Sequence, residues 1–355
     1  MIVPGALDQL TGGYLFDRRV VDGLRASGRE VQVIELAGSY PQADAVACAA
    51  AVQALRTLPD GAVAVIDGLA LPGFDDCLAK EAGRLRLLGF IHHPLSLESG
   101  VAPAVAGRLA ALEHRLWPML RGVLCPSTHT ARCIADAGLA SVRIAITPPG
   151  NDRAAADGKS DESGPVPVRD DPARPLQLLS VGSIVPRKGH RLLVEALAGL
   201  KSLPWRLTCI GSLERDRAEV AALRVAIADH QLDDRVLLAG EMQPRGLQAA
   251  WRDADVFVLP SRHEGYGMAY AEAMAHGLPV IGTTAGAIPD TVPASAGLLV
   301  EADDIDALRA AIERLLVDGS LRRKLSAGAL CAAAALPDWP TAVRRWADAA
   351  DRLAA

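Results

Sequence analysis

Short apolar segments alternate with amphipathic ones along nearly the whole chain. The apolar segments are hydrophobic throughout rather than at every second position, which favours parallel strands covered by helices on both faces. They are "MIVPG", "VQVIEL", "GAVAVIDG", "LRLLGFIH", "GVLCPS" and "VRIAITPP", then "LQLLSVGS", "WRLTCIGS", "RVLLAG", "VFVLP", "PVIGT" and "AGLLV". Segments between them, such as "YLFDRRVVDGLRASG", have helical periodicity. The pattern predicts an α/β fold with two tandem, doubly wound, Rossmann-like domains.

A polar segment, "NDRAAADGKSDESGPVPVRDDPARP", separates the two halves. It has too few apolar residues to build a core, so it is typical of a linker or loop. We predict an N-terminal domain over 1–160, a linker over 161–175 and a C-terminal domain over 176–337. Residues 338–355 are amphipathic and carry two tryptophans. We expect this segment to form a closing helix that packs back on the N-terminal domain. In such sheets ligands bind beyond the carboxyl ends of the strands, so the cleft between two facing domains is the expected site.

Composition narrows the class of protein. Hydrophobic residues make up 50% of the chain and charged residues 22%, which is ordinary for a soluble globular protein. The net charge of −5 gives no reason to expect nucleic acid as a partner. The 6 cysteines lack paired spacing, which argues against a zinc site and favours a reducing cytosol. Neither a signal peptide nor a membrane-spanning segment is expected from the apolar runs.

The segment "SVGSIVPRKGH" places two cations between a strand and a helix. We expect the strand to end near Ser183 and the helix to follow Gly189, with Arg187 and Lys188 in the loop. Positive charge and the free N–H groups of a helix N-terminus together favour an anion. A solvated surface pair is an equally good interpretation of these residues by themselves.

Two features of the first half also follow predicted strands. Gly12 and Gly13 open a helix, and paired glycines allow backbone amides to approach a phosphate, although a plain tight turn is at least as consistent. His92 and His93 stand at the carboxyl end of an apolar strand. Adjacent residues of an extended chain point to opposite faces, so a catalytic or hydrogen-bonding role for one histidine is favoured over joint metal binding.

The segment "RHEGYGMAYAEAMAHG" carries two glutamates around a glycine-rich turn. Glu264 is expected in a loop at the end of a buried strand, and Glu272 in the helix that follows. The amides of Met268 and Ala269 form that helix N-terminus, which is a second anion site. Glu272 could simply complement the helix dipole. The whole set fits a ligand with hydroxyls at both ends and phosphates between them, which describes a nucleotide sugar.

Residues 178–300 resemble the donor domain of retaining glycosyltransferases of the GT-B fold, family 4. The resemblance rests on "SVGSIVPRKG" and on the E-x7-E element "EGYGMAYAEAMAHGLPVIGTTAGAIPD". The first half is similar more loosely, through "TGGY", the histidine-bearing strand end, "CPSTHTARCI" and "ITPPGND".

The resemblance implies a role for each matched residue. Glu264 would contact the donor sugar and stabilise charge near the transferred carbon, and Glu272 would bind the ribose. Arg187 and Lys188 would neutralise the diphosphate. His92, with His93 as the second choice, would hydrogen-bond the donor sugar. The remaining donor-binding positions would be Gly12, Gly13, Ser183, Gly265, Tyr266, Gly267, Met268 and Ala269.

Three positions depart from the family pattern. Ser183 stands where the family often has an arginine, so one expected diphosphate cation is missing and Arg187 would have to supply it. Tyr266 replaces the usual phenylalanine of the turn, and Asp290 stands where glutamate is common.

The resemblance thus implies a retaining glycosyltransferase that needs neither metal nor cofactor. The donor would be a nucleotide-diphosphate sugar, with UDP or GDP favoured, and the acceptor a small molecule, a glycan or a lipid-linked sugar. We expect a cytoplasmic protein, with peripheral contact at the inner face of the membrane left open. The helix with Arg108, Arg115, Arg121 and Trp117 could provide that contact, although a packed domain helix is favoured. The alternatives are a non-catalytic nucleotide-sugar-binding subunit and, less favoured, a dinucleotide-dependent oxidoreductase.

Overall fold

The computed structural model describes residues 1–98, 101–139, 143–152 and 174–355. The chain divides into two compact units. Unit 1 comprises Met1–Gly150 and Trp339–Ala355, and unit 2 comprises Asn151–Asp338. The linker predicted over 161–175 lies outside the described residues except for its last two positions.

Unit 1 is built on a parallel sheet with the strand order β2-β1-β3-β4-β5-β6. Its strands are β1 (Ile2–Pro4), β2 (Ile34–Leu36), β3 (Val63–Asp67), β4 (Arg86–Phe90), β5 (Gly122–Cys125) and β6 (Arg143–Ile146). Because β2 and β3 lie on opposite sides of β1, the chain changes direction between β1 and β3. This topological switch point is where α/β sheets of this kind open a crevice for ligands.

Six α-helices of the described chain accompany this sheet. They are α1 (Gly12–Ala26), α2 (Ala45–Arg56), α3 (Leu78–Glu81), α4 (Pro103–Leu116), α5 (Thr128–Ile134) and, from the end of the chain, α13 (Trp339–Ala354). Helix α2 begins where the Asp44 side chain accepts a hydrogen bond from the Ala47 amide, 2.8 Å away. The Tyr14 hydroxyl on α1 donates to the Pro4 carbonyl of β1, which attaches that helix to the sheet.

Helix α13 packs on unit 1 through its aromatic face. The Trp339 ring lies 5.9 Å from the Phe16 ring of α1, and the Trp346 ring lies 5.7 Å from the Phe90 ring of β4. At the rim, the Arg29 guanidinium binds the Asp351 carboxylate at 2.8 Å. The two tryptophans of α13 therefore lie on its buried face, against α1 and the sheet.

Unit 2 repeats the plan with the strand order β12-β11-β10-β7-β8-β9. Its strands are β7 (Leu176–Val181), β8 (Trp205–Ile210), β9 (Val236–Gly240), β10 (Val256–Val258), β11 (Val280–Thr283) and β12 (Gly297–Val300). Here β8 and β10 flank β7, so the switch point lies between β7 and β10.

The helices of unit 2 alternate with its strands. They are α6 (His190–Ala198), α7 (Arg217–Asp229), α8 (Pro244–Asp253), α9 (Met268–Ala275), α10 (Ile288–Thr291), α11 (Ile305–Val317) and α12 (Gly319–Ala335). Asp216, Asp304 and Asp318 each cap a helix with a side-chain oxygen, as their helix-start positions favour. These aspartates therefore act in local structure.

The architecture confirms the predicted fold class. Every apolar segment predicted as a strand contains a strand of one of the two parallel sheets. Trp117, considered as a membrane-interface residue, is 1% exposed and packs in the core of unit 1, and Arg115 binds Asp75. In the described part of the chain, none of the helices combines the length and apolar content needed to cross a bilayer.

Candidate functional site

A buried ion pair lies at the switch point of unit 2. The Lys188 Nζ follows β7 and lies 2.6 Å from Oε1 of Glu264, which follows β10. The same oxygen accepts a hydrogen bond from the Ser261 hydroxyl at 2.6 Å. The two loops meet because β7 and β10 are neighbours and both end at this edge of the sheet. Residues 76 positions apart, predicted separately from two motifs, are thus brought into contact.

Arg187 holds the two loops together rather than projecting away from them. Its Nη1 donates to the His263 carbonyl at 2.8 Å and lies 3.4 Å from Oε2 of Glu264. In return, the Arg262 amide donates to the Arg187 carbonyl at 2.8 Å. The guanidinium therefore lies beside the lysine and the carboxylate, in the position of a second cation for an anionic ligand.

Two glycines, Gly189 and Gly286, allow their loops to approach the segment that carries Glu264 closely. Gly189 has φ +71°, and a Cβ there would lie 2.2 Å from the Pro260 carbonyl oxygen. Gly286 has φ +62°, and a Cβ there would lie 2.4 Å from the backbone oxygen of Glu264. Any side chain would push the loop that carries Glu264 out of place. The next amide, that of Ala287, donates to that same oxygen at 2.9 Å.

The charges around Glu264 keep it ionised. It is 6% exposed, and burial acts to raise its pKa, but the charges of Lys188 and Arg187 and the bond from Ser261 outweigh burial and lower the pKa to about 2. A carboxyl group of this kind cannot donate a proton at neutral pH, so Glu264 is suited to electrostatic stabilisation and hydrogen-bond acceptance. Two cations and one carboxylate leave this cluster with a net positive charge.

The glycine-rich turn leads from Glu264 into α9. Gly267 caps the helix with φ +92°, and the Tyr270 hydroxyl donates to the Leu259 carbonyl at 2.5 Å. The Met268 and Ala269 amides are the first of the helix, where N–H groups have no intrahelical acceptor. Glu272 lies one turn further along and is partly exposed. The Asn151 side chain donates to the Ala271 carbonyl of this helix at 3.0 Å, which gives the asparagine of "ITPPGND" a structural part in this unit.

Ser183 follows the end of β7 and is partly exposed. Gly182 beside it packs on the stem of Lys188, since a Cβ at Gly182 would lie 3.4 Å from the lysine Cδ. Tyr266 is fixed through its backbone, because the Thr291 hydroxyl donates to its carbonyl at 2.6 Å. Burial raises the pKa of the Tyr266 hydroxyl to about 12, so this group stays neutral.

The remaining predicted residues belong to unit 1. Gly12 is the first residue of α1 and is exposed, and Gly13 lies against the His92 ring, where a Cβ would be 3.3 Å from Cδ2. His92 follows β4, and its ring centroid lies 4.5 Å from that of Phe90. His93 turns away from this contact and binds Glu98 through Nε2 at 2.8 Å. The two histidines therefore have separate partners.

His92 has two acidic partners that the sequence analysis did not include. Its Nε2 lies 3.0 Å from Oδ1 of Asp17, on α1, and 3.3 Å from Oδ2 of Asp67, the last residue of β3. Asp67 could have been identified from its place at the end of a strand next to the switch point. Asp17 gives no such signal, because "FDRRVVD" looks like the polar face of an amphipathic helix.

The ligand atoms of Asp17, Asp67 and His92 lie within 4.8 Å of one another, so this set could hold a metal ion. A protonated His92 ring that donates from Nε2 towards both aspartates is the alternative occupant of the same positions. The cysteines of the described chain are free.

Solved structures with the same arrangement of elements decide the fold. Sucrose-phosphate synthase from Thermosynechococcus elongatus aligns with a TM-score of 0.79 and 20% identity over 99% of this chain and 98% of its own. The fold is GT-B. A second GT-B protein, Anabaena HepE in complex with UDP and glucose, aligns with a TM-score of 0.71 and 18% identity over 98% of both chains.

Sequence comparison matches one part of the chain, within unit 2, to a known family. Residues 175–318 match the family described as glycosyl transferases group 1. The putative colanic acid biosynthesis glycosyltransferase WcaL of Escherichia coli is 37% identical over 155 residues, 41% of this chain and 36% of its own. The D-inositol 3-phosphate glycosyltransferase of Pseudarthrobacter chlorophenolicus is 33% identical over 226 residues, 61% of this chain and 53% of its own. The chain thus spans about half or less of these relatives. The domain match and the GT-B fold support a glycosyltransferase.

Proposed function

We propose that this protein is a retaining, metal-independent glycosyltransferase of family 4. It would move a sugar from a nucleotide-diphosphate donor, UDP or GDP, to an acceptor hydroxyl. The observation that carries the proposal is the Lys188–Glu264 pair with Arg187 beside it, at the switch point of the domain that matches the glycosyl transferases group 1 family. The cluster combines two cations, which suit the anionic diphosphate of the donor, with an ionised carboxylate, which suits its sugar.

In this reaction the bond between the anomeric carbon and the leaving phosphate oxygen breaks. A bond from the acceptor oxygen to the anomeric carbon forms on the same face, and the acceptor proton passes to the leaving phosphate oxygen. Lys188 and Arg187 stabilise the negative charge that develops on the diphosphate, which is the part that a metal ion plays in other transferases. Glu264 stabilises positive charge near the anomeric carbon, because it is a carboxylate at every physiological pH.

The donor extends along the start of α9. The first amides of the helix, at Met268 and Ala269, bind phosphate oxygens, and Glu272 binds the ribose hydroxyls. In unit 1, the amides of Gly12 and Gly13 add donors for the diphosphate, and His92 hydrogen-bonds the donor sugar. The proposed acceptor is a small molecule, a glycan or a lipid-linked sugar, and the relatives named as a putative colanic acid biosynthesis glycosyltransferase and a D-inositol 3-phosphate glycosyltransferase are compatible with it. The reaction takes place in the cytoplasm or at the inner face of the membrane.

A thermal-shift panel with UDP, GDP and ADP, each free and as a glucose or mannose conjugate, tests donor binding. One nucleotide is expected to raise the melting temperature in proportion to the logarithm of its concentration over Kd, and at 100 times Kd the stabilisation is about 2.7 kcal/mol. Release of the nucleotide diphosphate from the selected donor, with excess EDTA present, then tests catalysis without a metal. NMR of the product would show whether the anomeric configuration is retained.

The outcomes separate the proposal from its alternatives. Stabilisation without nucleotide release, against a panel of sugar and polyol acceptors, would identify a non-catalytic nucleotide-sugar-binding subunit. Stabilisation by NAD, added as a further member of the panel, and by none of the other nucleotides would identify a dinucleotide-dependent protein. Loss of turnover in EDTA, restored by a divalent cation, would remove metal independence but leave glycosyl transfer intact.

A further inference from the structure

Three side chains from separate parts of unit 1 meet at its switch point. Asp17 comes from the second turn of α1, Asp67 from the end of β3, and His92 from the loop after β4. The first aspartate is 0% exposed and the second 5% exposed. One ring nitrogen, His92 Nε2, faces a carboxylate oxygen of each, at 3.0 Å and 3.3 Å. Two carboxyl groups are rarely buried side by side unless a partner compensates their charge.

The geometry assigns a proton to Nε2. A nitrogen lone pair directed at two carboxylate oxygens would be repulsive, whereas an N–H shared between them is attractive. Asp67 is further fixed because its Oδ1 accepts from the Leu69 amide at 2.6 Å. Oδ2 of Asp17 is buried and has no hydrogen-bond partner in the described part of the chain. The cluster therefore favours positive charge on the ring, with two acidic groups to compensate it.

The electrostatics agree with this arrangement. Burial acts to lower the pKa of His92, but the charge of Asp17 and the bonds to both aspartates outweigh it and raise the pKa to about 10. Burial, the charge of Asp67 and a hydrogen bond between the two carboxyl groups raise the pKa of Asp17 to about 7, against the opposing charge of His92. The bonds from His92 lower the pKa of Asp67 in spite of its burial. The amino group of Met1 also acts on Asp17, and the nearby His93 is paired with Glu98.

The surroundings leave one edge of the ring open. Gly13 contacts Cδ2, the Phe90 ring lies 4.5 Å away between centroids, and Nε2 faces the two aspartates. The contacts to Gly13, Asp17 and Asp67 do not involve Nδ1 or Cε1, and 19% of the side chain is exposed. In an imidazolium this edge presents a charged N–H donor.

We propose that Asp17 and Asp67 are positioning residues that hold the His92 ring charged and in one orientation, so that its Nδ1–H donates to the sugar of the donor. This role rests on the proposed function for the identity of the ligand. The protonation state of the His92 ring does not depend on the proposed function and can be measured in the ligand-free protein.

Nitrogen NMR of the protein labelled at histidine tests the state of the ring directly. His92 is assigned among the 8 histidines by its loss in His92→Gln. In the wild type, both ring nitrogens are expected to stay protonated through pH 8. In Asp17→Asn and in Asp67→Asn, the midpoint of deprotonation should fall by at least one pH unit. Asp351→Asn, which removes an exposed carboxylate from the same unit, is the matched control and should leave His92 unchanged.

Two results would overturn the proposal without any activity assay. One is a neutral His92 ring at pH 7 in the wild type, which is informative even if neither variant folds. The other is one equivalent of Zn²⁺ that survives dialysis against a chelator and is lost in Asp17→Asn, which would make the cluster a metal site.

A kinetic split tests the positioning role in turnover. With the donor selected by the panel, Asp67→Asn should lower kcat at least tenfold, while the Kd of the free nucleotide diphosphate changes less than twofold because it has no sugar for His92 to contact. A fall in nucleotide affinity with kcat unchanged would contradict the proposed role. If the wild type releases nucleotide from no donor, the proposed function fails, and the NMR titration alone decides how His92 is held.

Discussion

The two units use the same topological position for ion clusters of opposite composition. At the switch point of unit 2, Lys188 and Arg187 surround one carboxylate, whereas at that of unit 1 two aspartates surround His92. The first cluster has an excess of positive charge, which suits an anionic ligand. The second has an excess of acid, which fixes the protonation and direction of an imidazole. The same sheet topology thus brings charged side chains together, and the types of residue present decide what each cluster can bind or hold.

The clusters also respond to pH in opposite directions. The pKa of Glu264 is lower in the folded protein than its ordinary value of 4.5, so its contribution to stability is present above that value and is lost as the pH falls towards 2. The pKa of His92 is higher than its ordinary value of 6.5, so its contribution is present below that value and is lost as the pH rises towards 10. Variants of each cluster can therefore be distinguished by titration.

The largest effect is expected from removing the cation of unit 2. Lys188→Met should reduce turnover of the donor by about 10²–10³-fold, the range seen when a preorganised electrostatic group is lost. Arg191→Met is the matched control, because Arg191 binds Glu219 at 2.9 Å in the same unit. Equal activity losses in the two variants, measured as nucleotide release, would contradict the role of Lys188. The double variant Lys188→Met/Glu264→Gln removes the carboxylate that the single variant would leave without its lysine, and its melting temperature shows whether misfolding contributes.

Glu264→Gln should change the acid stability of the protein. Since the pKa falls from 4.5 to about 2, the ionised side chain contributes up to about 3 kcal/mol above pH 4.5, at about 1.4 kcal/mol per pKa unit. The difference in the free energy of unfolding between wild type and variant should close as the pH falls from 4.5 to 2, in urea titrations at each pH. Glu219→Gln is the control, and a gap that stays constant with pH would argue against the ion pair.

His92→Gln should change stability on the alkaline side instead. The wild type is expected to exceed the variant by about 2 kcal/mol below pH 6.5, in the range for hydrogen bonds to charged groups. That advantage should disappear as the pH rises towards 10. His93→Gln is the comparison, because His93 lies outside the cluster of aspartates. Loss of the advantage below pH 6.5 instead would mean that the ring is held neutral.

The smallest effect is expected from alanine substitutions at two adjacent glycines, Gly12 and Gly13, which should differ in melting temperature. A Cβ at Gly13 meets the His92 ring at 3.3 Å, whereas a Cβ at Gly12 meets nothing within 4 Å. Because alanine is favoured over glycine in helices by up to about 1 kcal/mol, Gly12→Ala should raise the melting temperature slightly. Gly13→Ala should not raise it and should shift the His92 resonances. Identical behaviour of the two variants would show that the ring is not held against Gly13.

The motif residues of unit 2 could be predicted because each carries a local signal. Arg187 and Lys188 precede a helix, and Glu264 follows an apolar strand, so strand ends and helix starts alone place them at one edge of a sheet. The sequence did not predict that Arg187 would bind the His263 carbonyl and join two loops. That contact depends on the strand order, which makes β7 and β10 neighbours although two strands and three helices separate them along the chain.

Unit 1 shows the limit of sequence reasoning more clearly. His92 stood out at its strand end, but Asp17 is separated from it by 75 positions and lies within an amphipathic helix. A polar residue in such a helix is expected on the solvent side, whereas the tertiary structure buries this one beside His92 and Asp67. The interfacial interpretation of the α4 region illustrates the same limit, since the side of Trp117 that meets the core cannot be identified from periodicity alone.

The sequence by itself determined the local elements of this protein, because apolar runs, helical periods, caps and glycine turns act between residues close in the chain. It also determined which residue types stand at the strand ends. The tertiary structure decided which of these ends became neighbours, and so which charges share a buried site. The physical reason is that burial makes interactions between charges strong, and burial is a property of packing between distant segments rather than of any one of them.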